Sequence, residues 1–145
     1  MTTRTTILLT PLLLPFLDRI ICLKRQFWDY PASSQRRWFF EHVAESDLHV
    51  IAYDEEGTFV GYTRIALETA AGSGIIDTMC VRKDLQGRGI GSLVMRDANN
   101  AILNEGRIGF LSCAASMMPF YARCGWRPVD SPLLRANEVT MQLIQ

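Results

Sequence analysis

The chain has 145 residues, of which 48% are hydrophobic and 21% are charged, and this composition is ordinary for one soluble domain. Fifteen basic and fifteen acidic side chains give a formal net charge of zero, which predicts no surface for nucleic acid or for an anionic membrane. The four cysteines are far apart and there are two histidines, so neither a disulfide framework nor a metal site is indicated. We therefore expect a single domain over residues 1–145, with reduced thiols in the cytoplasm and a small-molecule partner.

The first segment has two interpretations. Residues 5–10 alternate β-branched and apolar side chains, which predicts an opening strand, and Pro11 is typical of the first turn of a helix. The apolar run 7–17 also resembles the core of a signal peptide. It ends at Asp18 and Arg19 without an Ala-x-Ala-like cleavage site, and it is too short to span a bilayer. A strand and a helix are favoured, with a cleaved signal as the alternative.

A second helix is predicted after Pro31. Ser33 or Ser34 is expected to cap it, and it should run to about Val43. Trp38 and Phe39 fall on this helix and are expected to face the core, because large aromatic side chains are usually buried.

The next two strands form a predicted hairpin. Residues 48–53 and 58–67 carry the alternating pattern, and the acidic turn 54–57 joins them and closes at Gly57. Gly61 interrupts the second strand and indicates a bulge or a close backbone approach.

The stretch 74–92 reads as an apolar strand followed by a glycine-rich turn and a helix. The near-continuous apolar run over 75–81 is typical of a strand buried on both faces, and therefore central in a sheet. Gly87, Gly89 and Gly91 follow at every second position, where the missing Cβ allows a positive φ or a close approach to a ligand. The unpaired N–H groups at the start of the helix favour an anion such as a pyrophosphate.

Two other glycine loops fit this stretch poorly. A nucleotide P-loop requires Lys and then Ser or Thr after its last glycine, whereas Gly91 is followed by Ser92 and Leu93. A dinucleotide fingerprint would place a third glycine where Ser92 stands, and it needs a repeated βαβ array that a chain of this length hardly contains. A glycine-rich turn without a ligand stays an alternative.

The last third alternates strands with helices. Residues 93–102 carry one apolar helical face, and this helix is expected to end at Gly106. Residues 108–113 are a short apolar strand, after which Ser116 is expected to cap a helix that stops at Gly125.

A loop over 131–137 and a final strand over 139–144 complete the chain. The predicted order is β-α-α-β-β-β-α-β-α-β-β, which is an α/β fold with a mixed sheet. The sequence contains no internal repeat, low-complexity tract or linker.

Two motifs resemble the signatures of the GNAT superfamily of N-acetyltransferases. The first is the spacing Gln86-x-x-Gly89-x-Gly91 between a strand and a helix. The second is the run 118–127, Met-Pro-Phe-Tyr-Ala-Arg-Cys-Gly-Trp-Arg, in which a tyrosine helix is closed by glycine and an aromatic residue. The element order also matches, so the resemblance covers essentially the whole chain. It implies the acyl-CoA N-acyltransferase fold, with acetyl-CoA as co-substrate and no metal.

Within the superfamily, residues 111–126 look most like the aminoglycoside 2′-N-acetyltransferases. The shared features are a Ser-rich strand end, the helix tyrosine and the Gly-Trp pair that ends the segment. The N-terminal third matches too little to fix a substrate.

The resemblance also implies where the coenzyme binds. The loop amides would hold the pyrophosphate, and the strand before the loop would pair with the pantetheine arm. The residues concerned are Met79, Cys80, Val81, Gln86, Gly87, Arg88, Gly89, Ile90, Gly91 and Ser92. The segment that carries Trp28 and Tyr30 would line the acceptor side.

Acetyl transfer to an amine needs a base, because an alkylamine with a pKa near ~10 is mostly protonated at neutral pH. Asp77 is the first candidate, since it lies on the central strand two residues before Met79. Asp47, His49 and Glu68 are alternatives at strand ends. The competing interpretation of Asp77 is a plain surface or turn carboxylate.

The leaving thiolate needs a proton, and Tyr121 lies on the helix that would face the sulfur. Its competing interpretation is a core tyrosine with a satisfied hydroxyl. A backbone N–H at about Met79 or Val81 is expected to stabilise the thioester oxygen as it gathers charge.

These residues favour direct transfer from acetyl-CoA to a primary amine of a small molecule (aminoglycoside-like, polyamine or amino acid) or of a peptide. A covalent route through Cys113 or Cys124 is disfavoured, because no histidine lies near either in sequence. A non-catalytic acyl-CoA sensor of the same fold is the alternative. The oligomeric state is open, with a homodimer among the options.

Overall fold

A seven-stranded sheet forms the centre of the computed structural model, which describes residues 2–130 and 137–145. The strands are β1 (Arg4–Leu9), β2 (Leu48–Tyr53), β3 (Phe59–Ala66), β4 (Ser73–Val81), β5 (Ile108–Ala114), β6 (Trp126–Val129) and β7 (Glu138–Leu143). Their spatial order is β1-β2-β3-β4-β5-β7-β6, and the pairs are antiparallel except β4 with β5. The predicted mixed α/β sheet with a central β4 is confirmed. Most of the predicted loop 131–137 lies outside the described residues.

The helices also follow the predicted order. They are α1 (Thr10–Leu13), α2 (Leu17–Lys24), α3 (Ala32–His42), α4 (Ile90–Asn104) and α5 (Met118–Arg123). Short 3₁₀ turns cover Leu14–Phe16, Lys83–Leu85 and Ala115–Met117. The first of these turns contains Pro15, which has no N–H to donate and divides the first predicted helix into α1 and α2. No helix in the described part of the chain is long and apolar enough to cross a membrane.

Helices cover both faces of the sheet. On the face that we call the α4 face, the apolar stripe of α4 packs on inward residues of the central strands, and Val94, Met95 and Ala98 are fully buried there. On the opposite face, the α2 face, α1 to α3 pack around Ile51 and Tyr62. The sheet therefore separates two cores, and a side chain on β4 belongs to one or the other.

The predicted hairpin of β2 and β3 is confirmed, and its turn closes at Gly57 with a φ of +81°. Gly61 on β3 permits the close approach that the sequence indicated. A Cβ built there would lie 3.1 Å from a methyl of Ile90 and 3.2 Å from one of Val94, so this glycine lets α4 sit tightly on the sheet.

The predicted serine caps are wrong. The helix α3 begins at Ala32, one residue before Ser33, with Pro31 at the N-cap position and no side-chain cap. The extended backbone of Pro31 starts the helix early, so both serines lie inside the first turn. Ser116 likewise falls within a 3₁₀ turn, and α5 has no side-chain cap.

The strands β4 and β5 separate partway along their length. They pair in parallel only from Ser73 to Ile76 on β4 and from Ile108 to Leu111 on β5. Beyond these residues β5 continues to pair with β7 on its other side, while β4 continues to pair with β3. A gap therefore opens in the sheet at the C-terminal ends of β4 and β5.

A bulge in β4 lies at the start of this gap. Thr63 pairs with Met79 and Arg64 pairs with Asp77, which leaves Thr78 without a partner. Thr78 has a φ of +67°, a conformation that a β-branched residue rarely adopts, and its carbonyl accepts a hydrogen bond from Thr63 Oγ1 at 2.7 Å. The extra residue shifts the alternation of β4, so Asp77 projects to the α2 face whereas Met79 packs on the α4 face.

Candidate active site

The gap between β4 and β5 is a cleft of about 750 Å³, which we call the large cleft. It runs along β4 and β5 to the glycine-rich loop and is closed on one side by α5. Residues that the sequence assigned to a coenzyme and that line it are Met79, Cys80, Val81, Gln86, Gly87, Gly89, Ile90, Gly91 and Ser92. Arg88 is exposed and is not part of the lining.

The glycine-rich loop exposes backbone amides to the large cleft. Gly87 and Gly89 have φ values of +80° and +83°, and a Cβ at either position would meet no atom within 4 Å. Gly89 is the N-cap of α4, and the first intrahelical bond runs from Leu93 N to Gly89 O. The amides of residues 90–92 therefore have no partner within the helix and lie at its positive end, where an anion is stabilised.

Gly91 has a different role from the other two glycines. Its φ is not positive, and a Cβ there would lie 3.1 Å from the Phe120 ring and 3.4 Å from the Met79 methyl. Its small size therefore allows β4, α4 and α5 to meet at the floor of the cleft. We expected a side chain at this position to block a ligand directly, but the nearer obstacle is Phe120.

Tyr121 lies on α5 and lines the large cleft. The residue is only 7% exposed, and its ring meets that of Phe120 edge to face with the centroids 5.0 Å apart. Burial raises the pKa of Tyr121 to about 12, so its hydroxyl stays protonated at neutral pH. The residue thus packs in the core and also presents a neutral O–H donor.

A second cavity of about 330 Å³, the aromatic pocket, lies on the α2 face. Its walls are Trp28, Tyr30 and Trp38, and Asp77 contributes the carboxylate. Trp28 and Thr78 line both cavities, so the large cleft and the aromatic pocket meet at the β4 bulge.

The predicted burial of Trp38 is wrong. The residue is 38% exposed, and its ring has Lys24 Nζ at 5.2 Å and the Arg64 guanidinium at 5.5 Å from its centroid. The predicted burial of its helical neighbour Phe39 is confirmed, since Phe39 is 5% exposed. Cationic side chains over its ring stabilise Trp38 at the pocket wall.

Asp77 is held in place by a buried arginine. Arg64 donates to Asp77 Oδ2 from Nε at 3.1 Å and from Nη2 at 2.6 Å, and its Nη1 donates to Asp47 Oδ2 at 2.8 Å. Asp47 is 2% exposed and also accepts the backbone N–H groups of Ala44 and Leu67. Arg64 therefore fixes the orientation of the Asp77 carboxylate at the pocket.

The alternative bases lie outside both cavities. Asp47 is fully engaged by its donors, and Glu68 is exposed beyond the end of β3. His49 is completely buried between Thr10 Oγ1 at 2.8 Å and the Tyr62 hydroxyl at 2.6 Å. Burial, together with Arg64, lowers the pKa of His49 to about 3, so it is neutral at physiological pH.

The cysteines do not form a nucleophilic site. All four are free thiols. Cys113 lines the large cleft, but burial raises the pKa of its thiol, and its Sγ lies 3.8 Å from Met141 Sδ. Burial likewise raises the pKa of the Cys80 thiol, to about 12. A thiolate nucleophile is therefore disfavoured at neutral pH.

Sequence reasoning missed several residues that shape the two cavities. Lys24 and Gln35 line the aromatic pocket, Arg64 orients Asp77, and Phe120 lies against Gly91. Gln35 lies three residues before Trp38, a spacing that places two side chains on the same face of a helix. This spacing was the signal that could have linked Gln35 to the pocket wall.

Comparison with known proteins identifies the family. A model of the acetyltransferase (GNAT) domain matches residues 25–143. The chain belongs to the GNAT acetyltransferases. A relative in Bacillus subtilis (strain 168), the uncharacterized N-acetyltransferase YjcF, is 31% identical over 88 residues. That match spans 60% of this chain and 61% of the relative.

Solved GNAT structures share the fold. An acyl-CoA N-acyltransferase from Pseudomonas aeruginosa has a TM-score of 0.79 at 17% identity, covering 99% of this chain and 100% of that one. The PaiA N-acetyltransferase from Thermoplasma acidophilum, in complex with coenzyme A, has a TM-score of 0.73 at 14% identity, with 99% of both chains covered. The predicted GNAT fold is confirmed. The aminoglycoside 2′-N-acetyltransferase branch stays a prediction.

Proposed function

We propose that this protein transfers the acetyl group of acetyl-CoA directly to a primary amine. The observation that carries the proposal is the meeting of the large cleft and the aromatic pocket at Thr78 and Trp28. A thioester held in the cleft and an amine held in the pocket would be brought together at this point. Membership in the GNAT acetyltransferases supports the same reaction class.

The loop residues fit a coenzyme. The open positions beside Gly87 and Gly89, and the unpaired amides of residues 90–92, suit a diphosphate. Pairing with β5 stops at Ile76, so the following edge of β4, including Met79 and Val81, is available to amide groups of a pantetheine arm. Acetyl-CoA, when bound, supplies the acetyl group and a thiol leaving group.

Two residues of the chain would transfer the protons that the reaction requires, one from the amine and one to the thiolate. Asp77 faces the aromatic pocket and takes the proton from the acceptor amine, directly or through water. Tyr121, whose hydroxyl stays protonated, donates to the departing thiolate. A backbone N–H of β4 at about Met79 or Val81 stabilises the charge that develops on the carbonyl oxygen.

The class of acceptor is open among aminoglycoside-like compounds, polyamines, amino acids and peptides. The resemblance of residues 111–126 to the aminoglycoside 2′-N-acetyltransferases rests on a strand end, which lines the large cleft, and on a Gly-Trp turn, which lines neither cavity. The second candidate function is an acyl-CoA sensor that binds without turnover. An assembled homodimer is compatible with either function.

Two measurements on the purified protein test the proposal. Calorimetry should detect acetyl-CoA binding, and thiol release from acetyl-CoA should accelerate when a primary amine is added. Binding without any amine-dependent thiol release across a broad panel would favour the sensor. A failure to bind acetyl-CoA would overturn both functions.

A further inference from the structure

Lys24 carries an ammonium that faces the aromatic pocket and forms no salt bridge with the described residues, although the Asp77 carboxylate attracts it from a longer distance. It is the last residue of α2, it is half-buried, and its Nζ lies over the Trp38 ring. Within residues 2–130 and 137–145, no carboxylate lies within 4.0 Å of this ammonium. Burial lowers the pKa of Lys24, because the charged form has lost part of its hydration. An anion in the pocket would restore the lost stabilisation.

The carboxylate that lines the pocket already pairs with an arginine. Asp77 is its carboxylate, and Arg64 donates two hydrogen bonds to it. Asp29 lies between two pocket residues in sequence but is exposed and outside the lining. A polyamine or an aminoglycoside would bring a second ammonium next to Lys24, with no unpaired carboxylate in the lining to receive it.

Gln35 provides an unused hydrogen-bond acceptor. The residue is 7% exposed, and its Nε2 donates to the carbonyls of Trp28 at 3.1 Å and Tyr30 at 3.4 Å. These bonds fix the amide, and Oε1 is left buried without a partner among the described residues. Gln35 therefore holds the carbonyls of Trp28 and Tyr30 against α3 and fixes two of the pocket walls.

The other walls of the pocket are mainly aromatic, and the pocket itself is small. Trp28, Tyr30 and Trp38 form its walls. A volume of about 330 Å³ is at the lower end of the range of roughly 300–1,000 Å³ that is typical of ligand sites. The pocket thus suits one compact apolar or aromatic group rather than an extended chain.

We propose that the acceptor is an α-amino acid with an apolar or aromatic side chain. Lys24 binds its carboxylate, and the three aromatic rings, two of them fixed by Gln35, line the space for its side chain. The amine then lies on the side of Asp77 and the β4 bulge. This inference rests on the proposed acetyl transfer and narrows its substrate.

The kinetic test compares acceptors that differ in one group. L-Phenylalanine, phenethylamine and spermidine are each assayed by thiol release from acetyl-CoA. In the parent protein, kcat/KM for phenylalanine should exceed that for phenethylamine by about tenfold or more, the scale of one charge-assisted hydrogen bond. Lys24→Met should reduce this ratio to about one, whereas Lys24→Arg should retain most of it.

Lys83 offers a matched control. Its Nζ lies 5.5 Å from the Phe27 ring centroid, so it is also a lysine above an aromatic ring, but it is exposed and outside the pocket lining. Lys83→Met should leave the ratio of the two acceptors unchanged. A preference for spermidine or phenethylamine over phenylalanine in the parent would overturn the inference, although acetyl transfer itself would stand.

A binding test does not depend on turnover. Trp28 and Trp38 report on the pocket, so their fluorescence can follow titration with 3-phenylpropionate and with its neutral amide. In the parent, the carboxylate should bind at least about tenfold tighter than the amide. In Lys24→Met, the two compounds should bind equally. Equal binding in the parent would overturn the inference. A Lys24-dependent preference without acetylation of any amine would instead keep the pocket assignment and overturn the proposed reaction.

Discussion

The large cleft and the aromatic pocket meet at Thr78, yet they are built in different ways. The glycine-rich end of the cleft comes from one continuous stretch, from Met79 to the start of α4, whereas β5 and α5 supply its other walls. The pocket uses side chains from α2, α3, the loop between them and β4, and its carboxylate is oriented by Arg64, which does not line it. A site made of backbone amides is encoded by local spacing, whereas a site made of side chains depends on how distant segments pack.

The largest expected effect comes from a change in the glycine-rich loop, which should impair the large cleft and leave the aromatic pocket intact. Gly89→Val should weaken acetyl-CoA binding by at least about 100-fold, because a branched side chain at φ +83° distorts the loop and fills the open space in the cleft. Calorimetric titration measures the affinity. The aromatic pocket should still bind 3-phenylpropionate.

Gly57→Val is the matched control for this change. Gly57 has a φ of +81°, and a Cβ there would also meet no atom within 4 Å, but it lies in the β2–β3 turn. Both variants should lose a similar amount of stability from the strained backbone, on the order of 1–3 kcal/mol. Equal coenzyme affinity in the two valine variants would show that the loop is not the binding site.

The next largest effect is expected on kcat, from the tyrosine that lines the large cleft. Tyr121→Phe keeps the ring that packs on Phe120 but removes the proposed proton donor. The account predicts a fall in kcat of about 10²- to 10⁴-fold with little change in acetyl-CoA affinity. A packing role alone would leave kcat within a few-fold of the parent. A melting curve checks that the variant is folded.

On the side of the aromatic pocket, the two carboxylates bound by Arg64 form a matched pair. Asp77→Asn should lower kcat by about 10²- to 10³-fold, because an amide cannot take the amine proton. Asp47→Asn should mainly lower the melting temperature, since it weakens buried bonds to Arg64 and to two backbone amides. Equal loss of kcat in both variants would assign Asp77 a structural role.

The smallest effect on the two cavities is expected from the core of the α2 face, where a buried histidine should affect stability instead. The folded-state pKa of His49, about 3, lies below the ordinary histidine value of 6.5. The unfolded chain therefore binds a proton first as the pH falls, and stability should be lost between about pH 6.5 and pH 3. The slope from this residue is at most about 1.4 kcal/mol per pH unit.

Urea denaturation at several pH values measures this slope. His49→Gln should flatten it in that window, and His42→Gln, at an exposed histidine, is the control. The pH dependence of kcat should be the same in both variants, because neither histidine lines a cavity. An unchanged slope in His49→Gln would contradict the account of this buried histidine.

The fold and the large cleft were predictable because their signals are local. Strand alternation, a positive-φ glycine at Gly89 and the tyrosine helix each depend on neighbouring residues, and the structure places all of them as expected. For Tyr121 the sequence left two interpretations open, a core tyrosine and a residue facing the coenzyme sulfur, and the structure places it buried at the wall of the large cleft.

The aromatic pocket was only partly predictable. Trp28 and Tyr30 lie in it as expected, but the exposure of Trp38 depends on two cations from other segments. The bulge at Thr78 could not be anticipated, because no glycine marks it and a β-branched residue disfavours its positive φ. A regular strand would have placed Asp77 and Met79 on one face. The bulge therefore places Asp77, the proposed base, on the face opposite to Met79.

A crystal structure with coenzyme A would test the central claim most directly. The account predicts diphosphate oxygens within about 2.7–3.2 Å of loop amides in residues 86–92, with the pantetheine arm along Met79 to Val81. The sulfur should lie beside the Tyr121 hydroxyl, next to the opening of the aromatic pocket at Thr78. A diphosphate bound away from the loop, or a sulfur separated from this opening, would contradict the account.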